Sequence, residues 1–226
     1  MLNKDKFRCV HQSPDNDYGV FELPDLEPPI GAALGNAMRR VLLSDIPGFA
    51  AKSIKIDGIL HEFSTIPGVR EDVTEIVLNI KAICMSSFTE GDKVLHIDAV
   101  GPCAVFAGDL QCDIDVSILN PKVRICTLGE GARLSMEIIA GHGKGYVPAE
   151  LNKEENPRIG VIPVDSLYSP IKKVNFHVRQ DEKGANKETL ILEVWTNRTI
   201  VPRRAVSVAA QKLGQHFHDI QCALSD

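Results

Sequence analysis

The segment of this 226-residue chain that most resembles a phosphate site is Gly141-His142-Gly143-Lys144-Gly145. A phosphate-wrapping loop needs four residues between its first glycine and the Gly-Lys pair. It then needs a Ser or Thr hydroxyl to meet magnesium and a helix N-terminus to face the anion. Here the spacing is short, Gly145 stands where the hydroxyl belongs, and no helical periodicity follows, so the run reads as a flexible hairpin tip. The seven histidines include no HExxH. His216 and His218 are two apart on a helical pattern, so they point to different faces and cannot chelate one metal as an i, i+4 pair would. Both read as solvent-facing. Six cysteines (Cys9, Cys84, Cys103, Cys112, Cys126, Cys222) never form CxxC, and zinc sites usually show closely spaced ligand pairs, so they read as reduced, mostly structural thiols. Cys103 and Cys112, with nearby His96, are the nearest approach to a thiol- or metal-dependent centre, and near-stoichiometric zinc in the purified chain would favour that reading. There is no GxSxG and no catalytic Cys–His signature. Glu154-Glu155 sit in a polar loop, where hydration accounts for them. The residues thus point to no catalytic group, no metal and no cofactor.

Three periodic stretches supply helices. After Pro28-Pro29, a helix over Ile30–Asp45 places Leu34, Ala37, Met38, Val41 and Leu42 at i, i+3, i+4, i+7 and i+8, one apolar stripe. Pro47-Gly48 ends it. Asn36, Arg40 and Leu43 share a second face, mixing a charge with an aliphatic side chain. A second helix over Arg70–Ile83 buries Val73, Ile76, Val77 and Ile80. Glu71 and Asp72 in its first turn and Lys81 near its end complement the macrodipole. A third helix starts after Pro202 and reaches Leu224, with Val206, Ala209, Ala210, Leu213, Phe217, Ile220 and Leu224 in a stripe sustained over five turns. So long a seam needs a surface to lie on. Arg203 and Arg204 occupy its first turn, where the dipole prefers acids.

Between the helices lie strand-like runs at 53–57, 94–99, 114–118, 123–128, 134–139, 174–178 and 190–196, separated by turns at Gly91-Asp92, Asn120-Pro121 and Gly129-Glu130-Gly131. Strand and helix do not alternate, so the pattern is α+β and mainly antiparallel.

Apolar residues make up 44% of the chain and charged residues 24%, ordinary values for a globular protein with a real core. The net charge of -5 argues against independent DNA binding, which rests on neutralising phosphates with Lys and Arg. Any role on nucleic acid would run through partners. The start, Met1-Leu2-Asn3-Lys4-Asp5-Lys6, has no apolar targeting core, and no stretch approaches a membrane span. The expected location is the cytoplasm or the inside of an organelle.

Several sequence words carry a resemblance. Leu34-Gly35-Asn36-Ala37-Met38-Arg39-Arg40-Val41-Leu42-Leu43-Ser44 and His61-Glu62-Phe63-Ser64-Thr65-Ile66-Pro67-Gly68-Val69-Arg70-Glu71-Asp72-Val73 are the strongest, the second running on into Leu78-Asn79-Ile80-Lys81. Gly145-Tyr146-Val147-Pro148-Ala149, Val164-Asp165-Ser166-Leu167-Tyr168-Ser169-Pro170 and Glu193-Val194-Trp195-Thr196-Asn197 follow in order. From about residue 20 to 224 the chain resembles the amino-terminal assembly region of the bacterial-type RNA polymerase alpha subunit family.

The resemblance implies a discontinuous dimerisation subdomain at 1–47 and 170–226, and a strand-rich subdomain inserted at 48–169. It implies a non-catalytic scaffold within a nucleotidyltransferase complex, one that homodimerises and docks the β and β′ subunits. By position, Asn36, Arg40 and Leu43 would bind β, and Lys81 and Val164 would bind β′. Leu34, Met38, Val41, Leu213, Phe217 and Ile220 would form the dimer interface. The compartment would be the bacterial cytoplasm, or the plastid stroma for an organellar member, which Trp195-Thr196-Asn197 suits equally. Two departures stand out. The approach to the first helix reads Glu27-Pro28-Pro29-Ile30-Gly31-Ala32-Ala33 where members are usually Gly-rich, and Arg203 and Arg204 replace residues that are often acidic. Members typically continue into a DNA- and activator-binding domain, so promoter and activator contact are not expected of residues 1–226.

Overall fold

In the computed structural model, residues 7–153, 158–180 and 187–225 are described. Met1–Lys6 and the Glu154-Glu155 pair lie outside them. The chain divides into two compact units, Met1–Ile46 with Ser169–Asp226, and Pro47–Tyr168. It opens with strands β1 (Arg8–Gln12) and β2 (Tyr18–Leu26) and helix α1 (Ile30–Ser44). The second unit then supplies β3 (Pro47–Ile56), α2 (Val73–Lys81), β4 (Met85–Ser87), β5 (Lys93–Val100), β6 (Cys103–Phe106), β7 (Val116–Ile118), β8 (Arg124–Leu128), β9 (Arg133–Lys144), β10 (Tyr146–Val147), β11 (Val161–Pro163) and β12 (Ser166–Leu167). The chain returns to the first unit with β13 (Ile171–Gln180), β14 (Glu188–Thr196) and α3 (Pro202–Ala223). This mixture of helices and antiparallel strands is the expected α+β class.

In the first unit, a four-stranded antiparallel sheet runs β1-β2-β14-β13. β2 has no clean alternation and carries Pro24, which is why its sequence does not read as a strand. The register explains how the proline is tolerated. Leu23 faces Leu190 and Leu26 faces Glu188, so Pro24 and Asp25 stand opposite a single residue. The missing N–H falls in this bulge, where no ladder bond is lost, and Asp25 takes the left-handed conformation at φ 61°. Trp195 on β14 is flanked by the Tyr18 ring at 4.7 Å and by the Lys173 ammonium at 4.8 Å. The Tyr18 hydroxyl donates to Glu193 at 2.8 Å; burial, then that carboxylate, pushes the Tyr18 phenol up to about 12.

α1 packs on this sheet through Gly31, Gly35, Met38 and Leu42. The glycines set how closely it packs. A Cβ on Gly35 would lie 2.3 Å from the Phe176 ring, and one on Gly31 would lie 2.7 Å from a Glu188 oxygen. Pro29 gives the helix no side-chain cap, and Glu188 of β14 takes over that role. Its Oε1 accepts from Gly31 N at 2.5 Å, with the carboxylate buried to 7% exposure. A carboxylate at this helix end satisfies an open donor and faces the positive pole of the dipole. We expect Glu188→Ala to destabilise the fold by about 1–3 kcal/mol in denaturant titration. A loss within experimental error would show that the helix start does not depend on this contact. At the other end of α1, Asp45 receives the Lys212 ammonium of α3 at 2.7 Å.

The second unit is built on a larger antiparallel sheet, β5-β9-β3-β4-β7, with β11 also pairing β3. Alternate residues Leu134, Met136, Ile138 and Ala140 of β9, with Leu95 and Ile97 of β5, face a core capped by Val73, Ile76 and Ile80 of α2. α2 is shorter than its periodicity suggests. Asp72 is its N-cap, accepting from Glu75 N at 2.7 Å. Glu71 turns away from the helix to accept from Thr127 N at 2.6 Å and Thr127 Oγ1 at 3.1 Å. At the far end, Asn120 closes the helix by donating to Ala82 O and accepting from Cys84 N.

The glycine-rich run at 141–145 is a strand end, not a hairpin tip. Gly141 and Gly143 pair with Ala50 and Gly48 of β3. Their missing side chains have a packing cause. A Cβ on Gly143 would meet the Tyr168 ring at 2.5 Å, and one on Gly141 would meet the Asp92 carboxylate, which is held by Lys52 at 2.7 Å.

Candidate subunit-docking surfaces

Three exposed surfaces include residues singled out in the sequence. The first is the outer face of α1. Met38 and Leu42 are committed to the sheet, so Asn36, Arg40 and Leu43 point outward together, Leu43 at 38% exposure. Among the described residues, no carboxylate lies within ion-pair distance of Arg40. Its five donors are therefore open to a partner, and a guanidinium suits planar, multi-donor contacts.

The second surface lies on the other unit, where two distant sequence words meet. Tyr146 and Val147 of β10 pair with Leu167 and Ser166 of β12. Between them, Asp165 accepts from the Lys81 ammonium at 2.7 Å and from Ala149 N at 3.0 Å. The Lys81 bond, then the Ala149 amide, hold the Asp165 carboxyl below the usual carboxylate range. Leu78 is 58% exposed, and Tyr146 and Leu167 are each 59% exposed. Val164 does not belong to this surface. It is 1% exposed inside the core, its N–H donating to Lys52 O and its carbonyl accepting from Asn152. Its side chain can shape the neighbouring Asp165 but offers nothing for a partner to touch. Sequence reasoning missed Asp165 and Tyr146, and only their place within family words hinted at them.

The third surface is apolar. Only Pro202, Ala205, Val206 and Ala209 of α3 are buried. Val41 and Leu213 pack half-buried against the same core. Beyond Leu213 the stripe leaves the sheet, with Phe217 64%, Ile220 56% and Leu224 83% exposed. Along the N-terminal half of α3 opens a groove of about 470 Å³, lined by Phe7, Leu23, Leu34, Met38, Leu190, Leu192, Arg203, Val206, Ser207 and Ala210. Met38 is thus part of the intrachain core and also part of the groove wall.

The thiol centre suggested by Cys103, Cys112 and His96 is not assembled. Among the described residues, no group of three or more His, Cys, Asp or Glu side chains is placed to hold a metal. Burial, then Asp113, pushes the Cys112 thiol up, and burial, then Glu71 and Cys103, takes Cys126 up to about 12. Both shifts disfavour the reactive thiolate. Among the described residues, no helix is long and apolar enough to cross a membrane.

Known proteins place this arrangement in a class. The family described as the RNA polymerase Rpb3/RpoA insert domain matches residues 54–169, most of the second unit. The "DNA-directed RNA polymerase subunit alpha" of Clostridium kluyveri is 50% identical over 218 residues, spanning 96% of this chain and 69% of the relative. The subunits of that name from Desulfitobacterium hafniense and Desulforudis audaxviator are 46% and 48% identical over the same shares. The chain belongs to the bacterial DNA-directed RNA polymerase alpha subunit family.

Proposed function

We propose that this chain is a non-catalytic, cytoplasmic scaffold of DNA-dependent RNA polymerase. In this reading it homodimerises through α3 and the adjoining groove, and it docks the β and β′ subunits. The observation that carries the reading is that α3 exposes its apolar C-terminal half while its N-terminal half lines an apolar groove on the same unit. Exposed apolar surface on this scale marks a binding site, and a self-complementary pair of such features closes under a two-fold axis. An obligate interface of that kind buries roughly 2,000 Å² or more.

The outer face of α1, centred on Arg40, is the proposed β site. The surface around Lys81 and Asp165 is the proposed β′ site. Because Lys81 is already paired, its contribution there is to hold Asp165 in place as much as to present a charge. Two identical copies cannot encode which faces β and which faces β′. That asymmetry would arise when the first large subunit binds and blocks the equivalent site on the second copy.

Sedimentation of the chain alone and with a bacterial β subunit tests both halves of the proposal. The expected result is a dimer at micromolar concentration that takes up one β per two chains. Arg40→Ala should leave the dimer intact and weaken β capture by about 2 kcal/mol or more, roughly thirtyfold. Equal capture by the variant would remove Arg40 from the site. A stable monomer indifferent to β would remove the scaffold reading itself.

A further inference from the structure

The exposed end of α3 carries a pair of soft donors that the docking surfaces do not use. Cys222 Sγ lies 3.6 Å from His218 Nε2, one helical turn away, and both side chains are exposed. A zinc ion with a thiolate at about 2.3 Å and an imidazole at about 2.0–2.1 Å, at a tetrahedral angle of about 109°, spans about 3.5–3.6 Å between the two ligand atoms. The observed separation matches the bite distance of a tetrahedral chelate. It is also that of a hydrogen bond between the two groups, whose shared proton the metal would displace. The i, i+4 spacing holds the two side chains on one face, so binding needs little reorganisation.

We infer that His218 and Cys222 form a two-ligand site for a thiophilic divalent cation of the zinc class, with water completing the tetrahedron. At about 100° per residue, this pair lies on the side of α3 away from the stripe of Leu213, Phe217, Ile220 and Leu224. The site thus stays open whether or not that stripe is covered, and it does not depend on the scaffold reading. Binding replaces the Cys222 S–H bond with a metal–sulfur bond and releases the proton to solvent, while His218 binds as the neutral imidazole through Nε2. Uptake therefore strengthens as pH rises.

Cobalt(II) titration of the fully reduced, metal-free chain tests the assignment, because a thiolate–cobalt bond gives a near-ultraviolet charge-transfer band. The expected result is a band saturating at one cobalt per chain and displaced by zinc. Cys222→Ser should abolish it. His218→Gln should weaken uptake at least about tenfold, since losing a ligand costs no less than losing a group that merely orients one. Cys9→Ser and Cys103→Ser, which remove the other exposed thiols, should leave the band unchanged. The absence of a band in the parent chain, or a band that survives Cys222→Ser, would overturn the site.

Discussion

Replacing Phe217 and Ile220 together by aspartate should convert the chain from a dimer into a monomer at micromolar concentration. Both side chains are more than half exposed in the single chain, so they contribute little to its own core. Surface changes away from packing features usually stay within about 0.5 kcal/mol. In the proposed two-fold assembly, by contrast, both side chains would be buried on each side of the axis, four anchors in all. Anchors at the centre of an interface cost about 2 kcal/mol or more each on truncation. Burying a carboxylate in their place adds a desolvation penalty. Four anchors at about 2 kcal/mol each amount to about 8 kcal/mol, and even half of it is roughly a thousandfold in the dissociation constant. Sedimentation equilibrium reads the association, and denaturant titration checks that the fold is intact. A dimer that persists with an unchanged constant would place the two-fold contact elsewhere on the molecule.

The second large effect is expected at Gly48. A Cβ there would stand 1.8 Å from the main-chain carbonyl oxygen of Tyr168. At Gly35, by contrast, the obstacle is the Phe176 ring, which can turn. Tyr168 cannot retreat easily, because its N–H donates to Gly145 O at 2.8 Å and its ring lies on Gly143. Gly48→Ala must therefore push the Tyr168 backbone away from the strand it lies against in the second unit. We expect a loss above about 3 kcal/mol, a large fraction of the roughly 5–15 kcal/mol that domains possess. Gly58→Ala is the comparison: its φ is 79° with open space around it, so only backbone strain of about 1–2 kcal/mol applies. If the two variants melt alike, steric closeness at Gly48 is not what holds these segments together.

The residues alone determined the helices and the class of the fold. The stripes of α1 and α3 were legible because burial on one side of a helix repeats every three to four residues, and the observed ends fall within a residue of the periodic ones. The family words were equally plain. They are long, ordered, and independent of any knowledge of contacts. Local signals failed wherever the decisive partner lies far along the chain. Glu188 caps α1 from 157 positions away, Asp165 reaches Lys81 across 84, and Glu71 leaves its helix for Thr127 across 56. Val164 sits within a family word but faces the core, and the glycines at 141 and 143 are small because Asp92 and Tyr168 lie against them. The His218–Cys222 pair was within reach of sequence spacing, yet the ligand-atom distance that gives it meaning exists only once both rotamers are set. Periodicity reports how one element meets its surroundings, while closure of the chain decides which surroundings those are.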